Sequence, residues 1–328
     1  MQDVVPDVAA ESDRAARSPT ARPATGDVPP PEIERETPVL PVRTYVATGS
    51  RATLTLLTGM NAGHLVSIDA SSVTIGRAPD GDFVVDDPGV SRCHARVGRG
   101  PDGAFYLEDL LSTNGTFVGA GRVGVVPLRG GEIVQLGPTL LMRFAIVAPG
   151  EESLHRRLYD SATRDPLTRI YNRKYFADRL VVEIAQARRS NGEVALLIAD
   201  LDSLKHVNDT FGHLAGDRVL CVVGARLKGT IRAEDVLARY GGDEFVVVAP
   251  RTGLAEAQLL GERIRRAVEG LRLSARGQTT SVTLSIGCAA LSEVPPTDEA
   301  GLGLIALADR RLYRAKETGR NRVCTMDT

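Results

Sequence analysis

The sequence predicts a multidomain chain in which an all-β sandwich precedes an α/β domain with helices packed on a mixed sheet. Three observations carry this expectation. From Leu54 to Val147, short apolar runs such as "TLTLLTG", "SVTIGR", "AFYLEDL" and "LLMRFAIV" alternate with Gly, Asp and Asn, and no long helical pattern interrupts them. Beyond residue 164, strand-like runs such as "EVALLIADLD" alternate with helical ones such as "VLCVVGARLKGTI" around a single hairpin. The 328 residues, 43% hydrophobic and 25% charged, suit two soluble domains of ordinary size.

Residues 1–45 are rich in Pro, Ala, Asp, Glu and Arg with almost no aromatics, which reads as a disordered tail. The sandwich occupies 52–148 and a linker helix 149–163, where Leu154, Leu158 and Ala162 recur at i, i+4 and i+8. The α/β domain takes 164–326: strands at "VALLIADLD", "VLARY", "FVVVAP" and "SVTLSIGCAAL", and helices at "AEAQLLGERIRRAVEGL" and "LIALADRRLYRAKETG".

A formal net charge of -1 gives no basic field, so nucleic acid is not an expected partner. Cys93, Cys221, Cys288 and Cys324 are scattered without metal or redox spacing and read as reduced thiols. No signal-peptide pattern and no membrane-length apolar run is found, so a cytoplasmic protein is expected.

The informative stretch is "RAEDVLARYGGDEFVVVAP" (232–250), where two glycines and two carboxylates break an apolar segment. A hairpin turn explains the glycines but not Asp243 and Glu244. Asp200 and Asp202 end the apolar run "VALLIAD", and acids at a strand end and a hairpin tip can converge. Hard oxygen ligands of that kind suit Mg²⁺ (or Mn²⁺) carrying a nucleotide triphosphate; without a metal they repel one another.

"RDPLTRIYNRKYF", "DLDSLKHVNDTFGHLAGD", "RYGGDEF" and "LYRAKETGRN", in this order, resemble the GGDEF family of diguanylate cyclases over roughly 160–325. The resemblance implies a nucleotidyl-cyclase-like fold and condensation of two GTP into cyclic di-GMP by two domains face to face, hence a homodimer. It implies that Asp200, Asp243, Glu244 and the Leu201 carbonyl hold the metal, and that Asp243 or Glu244 acts as base, which of the two remaining open. Asn208 and Asp217 would read guanine, and Lys205, Lys316 and Arg320 would neutralise the triphosphate. Only four lysines occur, Lys174, Lys205, Lys228 and Lys316, and two fall on these positions; alone, Lys316 and Arg320 read as a solvated helix face. Arg232 and Asp235, an R-x-x-D pair with Arg232 nine positions before Gly241, match the family's inhibitory product site, with Arg263 as a secondary contact. An isolated pair of this kind is otherwise a surface ion pair.

"TIGRAPDGDFVVDDPGVSRCHARV" with "LEDLLSTNGTFV" resembles the forkhead-associated (FHA) domain, a β-sandwich that binds phosphothreonine peptides. The resemblance implies phosphate donors at Arg77, Ser91, Arg92 and Thr113, a peptide-backbone contact at Asn114, and a structural role for His94. By itself Asn114-Gly115 reads equally as a hairpin turn. Gly119 departs from the Asn often found there. The expected ligand is a phosphothreonine protein, with a Ser/Thr kinase as a possible partner, or the tail's own Thr37 in "ERETPVL"; Thr37 also reads as an ordinary tail threonine. Two rival functions are an FHA adaptor whose cyclase domain only senses cyclic di-GMP and a cyclase making a mixed or adenine dinucleotide. The intact signature acids speak against the first and Asp217 against the second.

Overall fold

The structure is a computed structural model and describes residues 51–327, apart from 60, 70, 71, 149, 276 and 277; Thr37 and the tail lie outside the described residues. Eleven strands form the first region: β1 Arg51–Leu56, β2 Leu65–Ser67, β3 Ser72–Gly76, β4 Phe83–Val84, β5 Ala95–Arg99, β6 Phe105–Asp109, β7 Thr116–Val118, β8 Gly121–Val123, β9 Val125–Leu128, β10 Ile133–Leu136 and β11 Leu140–Val147. They make a six-stranded sheet ordered β2-β1-β11-β10-β7-β8 and a five-stranded sheet ordered β4-β3-β5-β6-β9. Alternate residues of both sheets, among them Leu54, Met142 and Phe144 from the first and Ile75, Val97 and Leu107 from the second, share one core, as in a sandwich.

Helix α1, Glu151–Thr163, follows. The helix expected from the leucine spacing is present, but the leucines do not form its packed side: Leu154 is 50% and Leu158 63% exposed. Polar and aromatic residues face the sandwich instead, with the Glu152 carboxylate accepting from Ser67 Oγ at 2.5 Å and His155 Nε2 donating to the Gly63 carbonyl at 2.8 Å. The linker is therefore fastened by hydrogen bonds rather than by its leucines.

The second region runs α2 Arg173–Ser190, β12 Val194–Asp202, α3 Leu204–Phe211, α4 His213–Lys228, β13 Val236–Arg239, β14 Glu244–Pro250, α5 Leu254–Glu269, β15 Leu273–Ala275, β16 Gln278–Thr280, β17 Thr283–Ala290, α6 Leu302–Glu317 and β18 Val323–Cys324. The main sheet has the order β13-β14-β12-β17-β18, antiparallel except for the parallel β17–β18 pair, so it is mixed as expected. Every residue of β12 is buried. Its odd positions (Ala195, Leu197, Ala199, Leu201) join a core with α4 and α5, and its even positions (Val194, Leu196, Ile198) a core with α2 and α6. Helix α2 begins at Asn172, whose side chain accepts from the Tyr175 N–H; it arises within the entry segment, for which the motif reading assigned no helix.

Phe245 shows how this core carries the hairpin: it is wholly buried directly after Glu244. Phe245→Ala should cost about 3–5 kcal/mol in denaturant unfolding of the α/β region; a loss below 1 kcal/mol would show that the hairpin does not depend on this ring.

Candidate functional site

The ladder between β12 and β14 pairs Asp200 with Glu244, and Leu201 N–H donates to the Asp243 carbonyl at 3.1 Å. Residues opposite each other in a ladder point to the same face, so Asp200 and Glu244 both rise on the α6 side. A residue's N–H and C=O leave a strand along the same edge, so the Leu201 carbonyl also faces the hairpin tip. Lys316, on the last turn of α6, places Nζ 2.7 Å from Asp200 Oδ2. The sequence-predicted acids and one predicted lysine therefore meet at one end of the sheet. Among the described residues, no group of three or more His, Cys, Asp or Glu side chains is arranged so that it could hold a metal ion.

Asp200 is 8% exposed. Burial, reinforced by the charges of Asp243 and Glu244, pushes its carboxyl up to about 6 against the opposing pull of Lys316. A divalent cation would relieve this crowding of negative charge, and the hard donor set fits Mg²⁺.

The turn connecting β13 to β14 is closed by Tyr240 N–H and Gly241 N–H, both donating to the Glu244 carbonyl. Neither Gly241 nor Gly242 has positive φ, so the pair is not there to permit a left-handed turn. A Cβ on Gly241 would come 2.6 Å from Glu244 Oε2; its lack of a side chain leaves room for that carboxylate. Arg239 braces the turn from behind, donating to the Gly242 carbonyl at 2.7 Å and to both oxygens of Asp165 at 3.2 and 3.3 Å. Burial opposes the Asp165 charge, but bonds from Thr168 together with Arg239 hold its carboxyl below the usual range. Motif reading assigned no role to this pair, because its members lie far apart in the chain.

The expected guanine and phosphate residues lie on other elements. Asn208 on α3 packs against α4, where a Cβ on Gly216 would meet Asn208 Oδ1 at 1.8 Å. That close approach needs glycine, and it sets Asn208 against the turn of α4 that carries Asp217. Both are half-buried, and Lys205 is exposed on α3. Asp202, grouped with Asp200 in the sequence, has a different role: its carboxylate accepts from Thr283 Oγ1, Ser285 Oγ and Asn321 N–H. Asn321 is further tied to Arg265 and Glu269 of α5. These anchors hold Arg320 and Asn321 at φ 60 and 48, a region costly for residues with side chains, and leave the Arg320 side chain exposed.

On another edge, Asp235 is buried and accepts from the Arg232 N–H at 2.8 Å, while its Oδ1 is buried without a hydrogen-bond partner. Burial raises the Asp235 carboxyl, opposed by the bond from the Arg232 N–H and by the charges of Arg232 and Arg263. Arg232 and Arg263 are exposed.

In the sandwich, Arg77 N–H donates to the Ser91 carbonyl, Thr113 N–H to Ser91 Oγ at 3.0 Å, and Asn114 Nδ2 to the Gly89 carbonyl at 2.8 Å. Arg77, Arg92, Thr113 and Asn114 are exposed around half-buried Ser91. Beneath them His94 is fully buried. Its Nδ1 accepts from Ser91 N–H at 3.0 Å, so Nε2 carries the proton and donates to the Gly115 carbonyl at 3.1 Å. One imidazole thus joins the two loops.

Taken together, the fold and these sites define a β-sandwich with a polar loop cluster joined to an α/β domain whose central strand ends in a carboxylate–lysine site. Residues 162–322 match the family described as diguanylate cyclase, GGDEF domain, and residues 73–137 match the FHA domain family. The chain therefore joins an FHA domain to a domain that belongs to the GGDEF family. Diguanylate cyclase DgcP of Pseudomonas aeruginosa is 38% identical over 187 residues, covering 56% of this chain and 27% of that protein. Response regulator PleD of Caulobacter vibrioides is 42% identical over 164 residues (49% and 36%), and diguanylate cyclase DosC of Escherichia coli 38% over 177 (52% and 38%). The match thus spans less than half of each relative. The solved coiled coil and GGDEF domain of DgcB from Caulobacter crescentus, in complex with c-di-GMP, is 32% identical with a TM-score of 0.49, covering 53% of this chain and 91% of that one. Among the described residues, no helix is long and apolar enough to cross a membrane.

Two titrations test these environments. Asp200 releases its proton near 6 when folded and near 3.8 otherwise, so its contribution to stability falls as pH rises from 3.8 towards 6 and stays low above that. Asp200→Asn should therefore raise the melting temperature by about 2–6 °C in metal-free buffer above neutral pH, and by almost nothing near about pH 4. A lower melting temperature at neutral pH would show that the Lys316 contact outweighs burial. Burial depresses the His94 imidazole below 6.5, so sandwich stability should fall as pH drops below 6.5 towards the folded value. Nitrogen NMR shifts at pH 6.5 should show a neutral Nε2–H ring; a charged ring would refute the assignment.

Proposed function

We propose that the protein is a diguanylate cyclase condensing two GTP molecules into cyclic di-GMP and pyrophosphate, acting as a homodimer of facing GGDEF domains. The observation that carries this reading is the pairing of Asp200 with Glu244 across the sheet end, with Lys316 drawn onto Asp200. Asp217 would accept from guanine N1–H and its 2-amino group, an arrangement adenine does not offer, with Asn208 beside it. Lys205, Lys316 and Arg320 would take up the charge of the triphosphate. Asp243 or Glu244 would receive the proton of the 3'-hydroxyl as its oxygen attacks the α-phosphorus of the GTP on the facing domain, where the bond to pyrophosphate breaks. Mg²⁺ or Mn²⁺, held by Asp200, Asp243, Glu244 and the Leu201 carbonyl, would supply charge neutralisation at the phosphates.

Two regulatory inputs belong to the same reading. Exposed Arg232 and Arg263, with Asp235 buried behind the turn, suit a guanine edge and phosphate of returning product. The exposed cluster of Arg77, Arg92, Thr113 and Asn114 around Ser91 suits phosphothreonine on a partner protein or on the tail.

The test is incubation of purified protein with GTP and Mg²⁺, with dinucleotide detected by mass spectrometry. Cyclic di-GMP is expected from the native chain and a loss of at least about 100-fold from Glu244→Ala. Arg232→Ala should abolish inhibition by added product while leaving the initial rate intact. Absence of product both before and after kinase treatment, together with tight binding of cyclic di-GMP, would favour a receptor instead.

A further inference from the structure

The sandwich and the α/β domain meet along one face, and the loop that carries Ser91 takes part in it. Asp86 lies in that loop, and its Oδ2 accepts from Arg179 Nη2 on α2 at 2.6 Å. Four residues earlier on α2, the Tyr175 hydroxyl donates to Asn61 Oδ1 of the sandwich at 2.7 Å. With the Ser67–Glu152 and His155–Gly63 bonds of α1, the face is held by polar contacts. Interfaces of this character are reversible.

The contact is also incompletely satisfied. Arg179 is buried and pairs with buried Glu183, yet Arg179 Nε has no hydrogen-bond partner. Burying a charge pair with an unpaired donor offsets much of its attraction. Such an arrangement is poised to open rather than locked.

The loop itself is rigid and shared. Val85 N–H donates to the Gly76 carbonyl, Asp87 accepts from Gly89 N–H and Thr139 Oγ1, and Asn114 Nδ2 donates to the Gly89 carbonyl. Asp86 and Ser91 are thus ends of one braced segment. Asn114 is also the side chain that suits a peptide backbone, so a bound peptide would meet the same amide that braces Gly89.

On the α/β side the contact leads towards the catalytic hairpin. Tyr175 stacks on Tyr171, with ring centroids 3.8 Å apart. Tyr171 N–H donates to the Leu237 carbonyl, and Arg239 N–H donates to the Tyr171 carbonyl, so this residue is stitched to β13 just before the Gly-Gly turn.

We propose that residues 85–91 form a detachable docking contact, in which Asp86 holds α2 of the GGDEF domain while the phosphothreonine site is empty and releases it when a phosphopeptide is bound. The proposal rests on reading the FHA site as a phosphothreonine receptor. Docking and peptide binding then oppose each other, and by linkage whatever breaks one strengthens the other.

The experiment uses the full chain, an arrayed phosphothreonine peptide library to select the tightest binder, and hydrogen–deuterium exchange with and without that peptide. Peptide binding to the native chain should speed exchange over residues 61–67 and 173–183. Asp86→Ala should show the faster exchange without peptide, gain nothing further on adding it, and bind the peptide about threefold to fivefold more tightly, the scale of one partly exposed ion pair. Tyr175→Phe, which removes the Asn61 bond without changing charge, should shift affinity in the same direction. Unchanged exchange over 173–183 in the peptide-bound native chain, or equal affinity of Asp86→Ala and native protein, would overturn the proposal. The two readings fail separately. No captured peptide would remove the phosphothreonine reading and the linkage with it, whereas unaltered exchange in peptide-free Asp86→Ala would remove the docking.

Discussion

A strand buried on both faces cannot end in carboxylates without compensation, and this constraint organises the α/β half of the protein. Strand β12 is enclosed along its whole length, and its last even positions are Asp200 and Asp202. The two acids are handled in opposite ways. Asp202 is satisfied from within by two hydroxyls and a backbone N–H. Asp200 is left with one lysine and with carboxylate neighbours that raise its proton affinity. A buried charge satisfied internally belongs to the fold; one left short of partners marks where a ligand would act.

The FHA half solves a related problem with a neutral group. Its exposed donors sit on loops, and loops need a support that is neither flexible nor charged. His94 supplies it: buried, uncharged, accepting from one loop and donating to the other. Both halves thus place charged groups at the rim and fix the loops that carry them from a buried hydrogen-bonding side chain, Asp202 in one and His94 in the other.

Much of this was legible in the chain. Alternating short runs announced the sandwich, and the apolar run before Asp200 announced the central strand, because burial and strand period are written locally. The four motifs located the acids and Lys316, and the offset from Gly241 located the R-x-x-D pair. What escaped was whatever depends on distant pairing. Arg239 and Asp165 join only after the entry segment folds back on β13, and Asp202 separates from Asp200 only through residues 283, 285 and 321. The packed face of α1 was not legible for the same reason: Leu154 and Leu158 carry the helical period, but the sandwich offers α1 polar groups, so Glu152 and His155 turn inward.

The anchoring of Asn321 has a mechanical consequence. Its N–H is held by the central strand and its side chain by α5, while Arg320 N–H returns to the Ala315 carbonyl on α6. The short span between them is a closed ring fastened at both ends, and its unfavourable dihedrals resemble a bent spring kept under load by its mounts. Arg320 therefore starts from a fixed backbone position, while its exposed side chain keeps its rotamer freedom until it meets an anion.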